Sequence, residues 1–259
     1  MAKDYSENLL IQKSTAELLE KELGWHSVYA YDSEVLGEQG TLGRKSQREV
    51  VLTRHLRLAL KRLNPWMDEK QMTEAVERMT EYKSSQTLIQ INEEKYGYVR
   101  DGVPVTRVKP DGTTETVRAR VIDFAVADNN EFVAVRELWI KGAIHKRRAD
   151  VVCYVNGLPL IFIELKNHDQ DIQNTYTDNY RDYLDTIPHL FHHNAMIMLS
   201  NGMESRVGTV GAKWEFFHEW KRLTETDHGN IELPTMLRGI CKKQNLLDLI
   251  ENFILFDHS

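Results

Sequence analysis

The chain has 259 residues, 41% hydrophobic and 28% charged, the composition of an ordinary soluble globular protein with length for one large domain or two small ones. A formal net charge of −6 argues against a protein that simply coats nucleic acid, and no apolar run approaches a membrane span or a signal-peptide core. Two cysteines, Cys153 and Cys241, cannot make a disulfide scaffold of a chain this size, so the expected setting is a reducing cytoplasm.

Residues 6–23 have helical spacing through Leu9, Leu10, Ala16, Leu19 and Leu23, with Gly24 as the stop. Residues 46–63 predict a second helix, with Val50, Leu56, Leu60 and Leu63 inward and Arg54, Arg57 and Lys61 outward, ended by Asn64-Pro65. The stretch from Arg44 to Arg62 carries seven Lys/Arg against one Glu, a local charge of +6 and a candidate DNA-backbone surface. Residues 67–83 predict a third, mixed-charge helix. From Gln86 to Val135 the pattern reads as strands and turns, with Asp101-Gly102 and Asp111-Gly112 as tight turns. Val121-Ile122-Asp123-Phe124 is expected beside the central hairpin, with Asp123, the only other acid that looks buried, as a hydrogen-bond acceptor. Phe132 to Ile140 then leads into the basic run His145-Lys146-Arg147-Arg148.

The run from Asp150 to Asn167, DVVCYVNGLPLIFIELKN, organises the rest. Two apolar segments about Asn156-Gly157 predict a β-hairpin, and the continuous second segment predicts a strand buried on both faces. Glu164 and Lys166 share one face of that strand because side chains alternate. For Asp150 to join them it must pair directly with Glu164, which requires a three-residue loop, Asn156 to Leu158, or a compensating bulge. Two carboxylates and an ammonium at a buried strand end cost stability unless they are used. The carboxylates can hold a hard divalent cation such as Mg²⁺, with Mn²⁺ as substitute, and Lys166 can position water or steady negative charge. Acid-x-Lys occurs five times in this chain; only Glu164-Lys166 ends a buried strand with an upstream Asp at hairpin distance.

Beyond the hairpin, residues 169–186 predict a polar helix bearing Tyr176, Asn179, Tyr180 and Tyr183, and Ala195 to Ser200 a further buried strand. His189, His192 and His193 surround apolar Leu190-Phe191 without a Cys partner, a poor zinc set. Trp214 to Leu223 and Gln244 to Phe256 read as closing helices. There is no repeat and no Gly-x-x-x-x-Gly-Lys-[Ser/Thr] loop, so ATP binding by this chain is not expected.

Arg147-Arg148-Ala149-Asp150, Val155-Asn156-Gly157-Leu158-Pro159-Leu160 and Ile163-Glu164-Leu165-Lys166-Asn167 together resemble the nuclease domain of the type I restriction enzyme R (HsdR) subunit, in the PD-(D/E)xK nuclease superfamily. The resemblance extends to Leu63-Asn64-Pro65, Val121-Ile122-Asp123-Phe124, Ile187-Pro188-His189-Leu190-Phe191, Ser200-Asn201-Gly202 and Asn252-Phe253-Ile254-Leu255-Phe256, nearly the whole chain. It implies an α/β fold, a mixed central β-sheet flanked by helices, as in restriction endonucleases. It assigns Asp150 and Glu164 to the metal and Lys166 to catalysis, and puts a helix acid near Glu7 as a further metal-shell residue. The family's Gln-x-x-x-Tyr motif falls on Asn179 to Tyr183, with Asn where Gln is usual. Arg147 and Arg148 join Arg54, Arg57 and Lys61 as candidate DNA contacts.

The expected organisation is a single nuclease domain over 1–259, with N-terminal helices at 6–83, a β-rich core at 86–167 and a helical and strand part at 168–256. The resemblance implies a prokaryotic, cytoplasmic endonuclease that cuts double-stranded DNA. It also implies methyltransferase and specificity subunits as partners and an ATP-driven motor in the full subunit; that motor is expected to be missing from this chain. Two other readings fit the hairpin: a stand-alone repair or junction nuclease of the same superfamily, and a catalytically silent DNA- or subunit-docking module.

Overall fold

The computed structural model describes residues 2–226 and 232–256 and, within the first helix, side chains from Leu10 onward. The chain opens with α1 (Ala2–Lys21) and β1 (His26–Tyr29), followed by α2 (Thr53–Leu63), α3 (Glu69–Thr80) and α4 (Leu88–Asp101). A small antiparallel pair, β2 (Val103–Val108) and β3 (Thr114–Ala119), forms its own sheet. The central sheet is built on β4 (Phe132–Lys141), β5 (Lys146–Val155), β6 (Leu158–Leu165), β7 (Met196–Ser200), β8 (Ser205–Gly208) and β9 (His218–Glu219). Its order is β1-β4-β5-β6-β7-β8-β9, with β1/β4 and β6/β7 parallel and the other neighbours antiparallel. This is the mixed, helix-flanked sheet expected.

All eight residues of β6 are buried, as its unbroken apolar run requires. Asn156 (φ 51°) and Gly157 (φ 81°) make the two-residue turn into β6, both in the left-handed conformation that such hairpins need. A Cβ on Gly157 would lie 2.4 Å from the Leu52 carbonyl oxygen, so glycine also serves close approach. The register shifts between Cys153 and Tyr154, from Cys153 opposite Ile161 to Tyr154 opposite Pro159. The bulge, not a longer loop, therefore sets the alignment. Val151 opposes Ile163, and continuing that register brings Asp150 opposite Glu164.

Several elements differ from expectation. Residues 88–101, expected to be extended, form α4, begun by a capping box in which Thr87 accepts the Gln90 N–H and Gln90 reaches back to the Thr87 N–H. Packing of Ile91, Tyr96 and Val99 into the core overrides the strand propensity of this β-branched and aromatic segment. The second helix starts at Thr53, because residues 46–52 run irregularly across the molecule and Leu52 donates its N–H to the Gly157 carbonyl. Val121 to Phe124 lies against the hairpin as expected, its Val121 carbonyl accepting from Asn156 Nδ2, but as a turn and not a strand; Asp123 is the expected acceptor, from Ala125 N, Val126 N and Asn129 Nδ2. The Trp214 to Leu223 segment holds only a short 3₁₀ turn and β9. The closing helix begins at Lys243 and ends at Asn252.

The polar helix after β6 is short and interrupted: α5 (Ile172–Asn174), a π turn at Thr175–Tyr180, then α6 (Arg181–Thr186). Phe162 of β6 anchors it, meeting Tyr180 and Tyr183 with ring centres 6.4 and 5.3 Å away. Cys153 and Cys241 are both buried free thiols. None of the described helices is long and apolar enough to cross a membrane.

Candidate active site

The open end of the β5–β6 hairpin faces a cavity of about 380 Å³. Asp150, Glu164, Leu165 and Lys166 line it from the hairpin, Asn179 and Tyr183 from the π turn and α6, Gln12 from α1, and Glu137 and Trp139 from β4. Asp150 accepts two hydrogen bonds, from Gln12 Nε2 at 2.8 Å on one oxygen and from the Leu165 N–H at 2.8 Å on the other. Glu164 is 2% exposed; Asn179 Nδ2 donates to its Oε1 at 2.6 Å, while Oε2 has no hydrogen-bond partner. The Tyr183 hydroxyl donates to the Arg148 carbonyl at 2.7 Å, bracing the strand next to Asp150.

Burial dominates the electrostatics. It pushes the Asp150 carboxyl up to about 7, against the Leu165 N–H and with the Glu137 charge adding to the rise. Burial, then the facing Asp150 charge, pushes Glu164 well above the usual carboxylate range, and the Asn179 hydrogen bond and Lys166 ammonium only partly oppose it. Nearby positive charge thus offsets only part of the cost of burying the two acids.

Two residues of this cavity went unrecognised in the sequence. Gln12 reaches Asp150 across 138 positions, and nothing in its own neighbourhood marks it. Glu137 is 1% exposed, so Asp123 is not the only other buried acid. The β4–β5 ladder pairs Arg136 with Val151 and Leu138 with Ala149 but skips the rung between them, where Glu137 faces Asp150. Glu137 takes φ 56°, a conformation costing a side-chain-bearing residue about 1–3 kcal/mol, and is ion-paired to Arg148 Nε at 2.6 Å. An acid inside the apolar run FVAVRELWI was the available signal.

The remaining candidates lie elsewhere or are engaged within the protein. Glu7 falls in α1, with its side chain outside the described residues. Arg54 donates to the carbonyls of Glu38, Gly40 and Thr41, and Arg57 bridges Glu69 and Thr73. Lys61 is exposed on α2. Arg44 is fully buried in a two-pronged pair with Glu34 and also donates to the Trp139 carbonyl, tying the preceding loop to β4. Much of the basic stretch thus braces the fold. Arg147 pairs with Asp182 at 2.6 Å and Arg148 with Glu137, yet both line the cavity.

Among the described residues, no three His, Cys, Asp or Glu side chains gather as a metal cage. Mg²⁺ does not need one, since it binds through one or two carboxylates and keeps several waters. The all-oxygen donor pair and the unpartnered, buried Glu164 Oε2 fit such a cation.

Residues 4–216 match the family model described as Type I restriction enzyme R protein N terminus. The chain is 32% identical over 258 residues to the type I restriction enzyme HindI endonuclease subunit of Haemophilus influenzae, covering 95% of this chain and 24% of that one. It is 24% identical over 276 residues to the putative type I restriction enzyme MjaIXP endonuclease subunit of Methanocaldococcus jannaschii, covering 97% and 26%. A shorter match, 27% over 136 residues, joins it to the type I restriction enzyme EcoprrI endonuclease subunit of Escherichia coli, covering 49% and 42%. The chain therefore spans about a quarter of the length of the first two relatives.

Proposed function

The chain belongs to the family of type I restriction enzyme R protein N-terminal domains, and on that premise we propose that its cavity hydrolyses phosphodiester bonds of double-stranded DNA with a divalent cation. The observation that carries this reading is the register of the hairpin. It sets Asp150 against Glu164 at a buried strand end, beside Lys166, and leaves Glu164 Oε2 without a partner. Asp150 and Glu164 would hold Mg²⁺ or Mn²⁺. The bound cation would lower the pKa of a water and offset phosphate charge.

The protein's own groups do the positioning. Gln12 and the Leu165 N–H fix the two oxygens of Asp150, and Asn179 fixes one oxygen of Glu164, so each carboxylate presents a set edge to the cavity. Asn is one methylene shorter than the Gln usual at position 179, and the 2.6 Å contact bridges that deficit here. Lys166 brings an ammonium, a donor without acceptor capacity, to orient a water or a phosphate oxygen. In the intact subunit we assign this domain to work with an ATP-driven motor and with methyltransferase and specificity subunits, which deliver the duplex.

The test is calorimetric titration with Mn²⁺ alongside nicking of supercoiled plasmid, with and without EDTA. Saturable binding that Glu164→Gln abolishes, together with EDTA-sensitive nicking, is the expected result. Nicking that persists in EDTA or in Asp150→Asn overturns the assignment.

A further inference from the structure

A row of aromatic and cationic side chains crosses the sheet and ends in the cavity. Tyr29, at the end of β1, lies 6.3 Å from Tyr31 with the rings within 28° of parallel. Tyr31 lies 6.3 Å from Trp139 of β4 with the rings within 25°. The Arg148 guanidinium sits over both Tyr31, at 4.8 Å, and Trp139, at 5.6 Å, and the Lys146 ammonium over Trp139 at 4.2 Å. Arg136 sits over Tyr29 at 4.9 Å. Lys146, Arg148 and Asp150 alternate onto one face of β5, and Trp139 is the register partner of Arg148. The inner end of the row is therefore beside the carboxylates, and Trp139, Lys146 and Arg148 line the same cavity as Asp150, Glu164 and Lys166.

The row lies partly at the surface. Tyr29 is 39% exposed, Tyr31 and Trp139 are half-buried and Lys146 is exposed. A cation–aromatic surface of this kind matches a polyanion carrying flat apolar rings, the chemistry of nucleic acid.

We propose that this row seats a single unpaired DNA strand and leads it into the cavity, so that the site takes one strand of a locally opened duplex at a time. The proposal rests on the nuclease reading for the direction of travel but not for the binding itself. Ring spacing separates an open strand from a stacked one. Neighbouring ring centres are 6.3 Å apart, whereas stacked nucleotides of B-DNA follow one another at about 3.4 Å per strand. A paired duplex also hides its base faces, leaving tyrosine and tryptophan rings nothing to stack on. Exposed Lys146 would hold a phosphate, and stacking on ring faces reads no base identity, so seating should be sequence-tolerant.

The test uses the full chain in EDTA, where nothing is cut, with fluorescein-labelled oligo-dT and a labelled duplex of equal length as probes. Oligo-dT should bind at least tenfold tighter than duplex. Trp139→Leu should weaken oligo-dT binding about tenfold or more, Trp139→Phe much less, and duplex binding should change little. Lys146→Ala, at an exposed position, should lower the salt slope for oligo-dT by about one phosphate contact. Equal affinity for the two probes, or oligo-dT binding indifferent to both Trp139→Leu and Lys146→Ala, overturns the proposal. The parent itself separates the two readings. Strand preference in a parent that never cuts would retain the seat and reject the nuclease; metal-dependent cutting without strand preference would do the reverse.

Discussion

The two ends of the β5–β6 hairpin hold buried polar groups under opposite rules. At the closed end, the fully buried Asn156 amide is saturated. Its oxygen accepts from Glu131 N and Arg62, and its nitrogen donates to the Val121 carbonyl and to Asn130 Oδ1. At the open end, Glu164 Oε2 and Gln12 Oε1 are buried without partners, and three acids share one cavity. A saturated buried network stabilises a fold, whereas an unsatisfied one costs stability unless a ligand completes it. Substitutions at the two ends should therefore move stability in opposite directions.

The largest effect belongs to the closed end. Asn156→Ala removes the hub of four hydrogen bonds and should cost about 3–5 kcal/mol, read from urea unfolding. A loss under 1 kcal/mol would erase the contrast. At the open end, Glu164→Gln removes a buried ionisable group whose charged form burial disfavours. Metal-free stability should rise by about 1–3 kcal/mol while metal-dependent nicking falls by at least about 100-fold. Destabilisation of that variant would make Glu164 a structural acid instead.

pH resolves the same contrast more finely. An acid raised in the folded state contributes stability below its unfolded pKa and loses it as pH rises towards the folded value. For Asp150 that window runs from 3.8 to about 7. The metal-free urea midpoint should thus fall between about pH 4 and 7, Asp150→Asn should flatten the fall, and saturating Mn²⁺ should oppose it. Asn is the better probe than Ala, which would orphan the Leu165 N–H. The smallest effect is expected at Asn179. Ala there frees Glu164 Oε1 and should weaken Mn²⁺ binding by about 10–100-fold, while Gln should stay near the parent. Equal losses in Ala and Gln would deny the amide its role.

The hairpin, its buried second strand and the Asp150, Glu164 and Lys166 set were legible because they are short-range patterns: alternation, a turn pair and a charge ending an apolar run. Gln12 and Glu137 were not, since one reaches the site by helix docking and the other by strand pairing across a skipped rung. The basic stretch misled for the converse reason. Charge counting shows where cations occur but not that Arg44, Arg54, Arg57 and Arg62 spend their donors on the protein itself. The α4 error was avoidable, as Thr87 and Gln90 stand at capping-box spacing before the apolar run.

The π turn at Thr175–Tyr180 bears on how this region can change length over evolutionary time. A π turn holds one residue more than the α-helix it interrupts. Losing a residue there would restore α-helical winding and leave α6 in place, whereas the same loss within α6 would rotate Tyr183 away from the Arg148 carbonyl. Single-residue deletions among descendants of this chain should therefore accumulate between positions 175 and 178, ahead of Asn179, and be rare between 179 and 186.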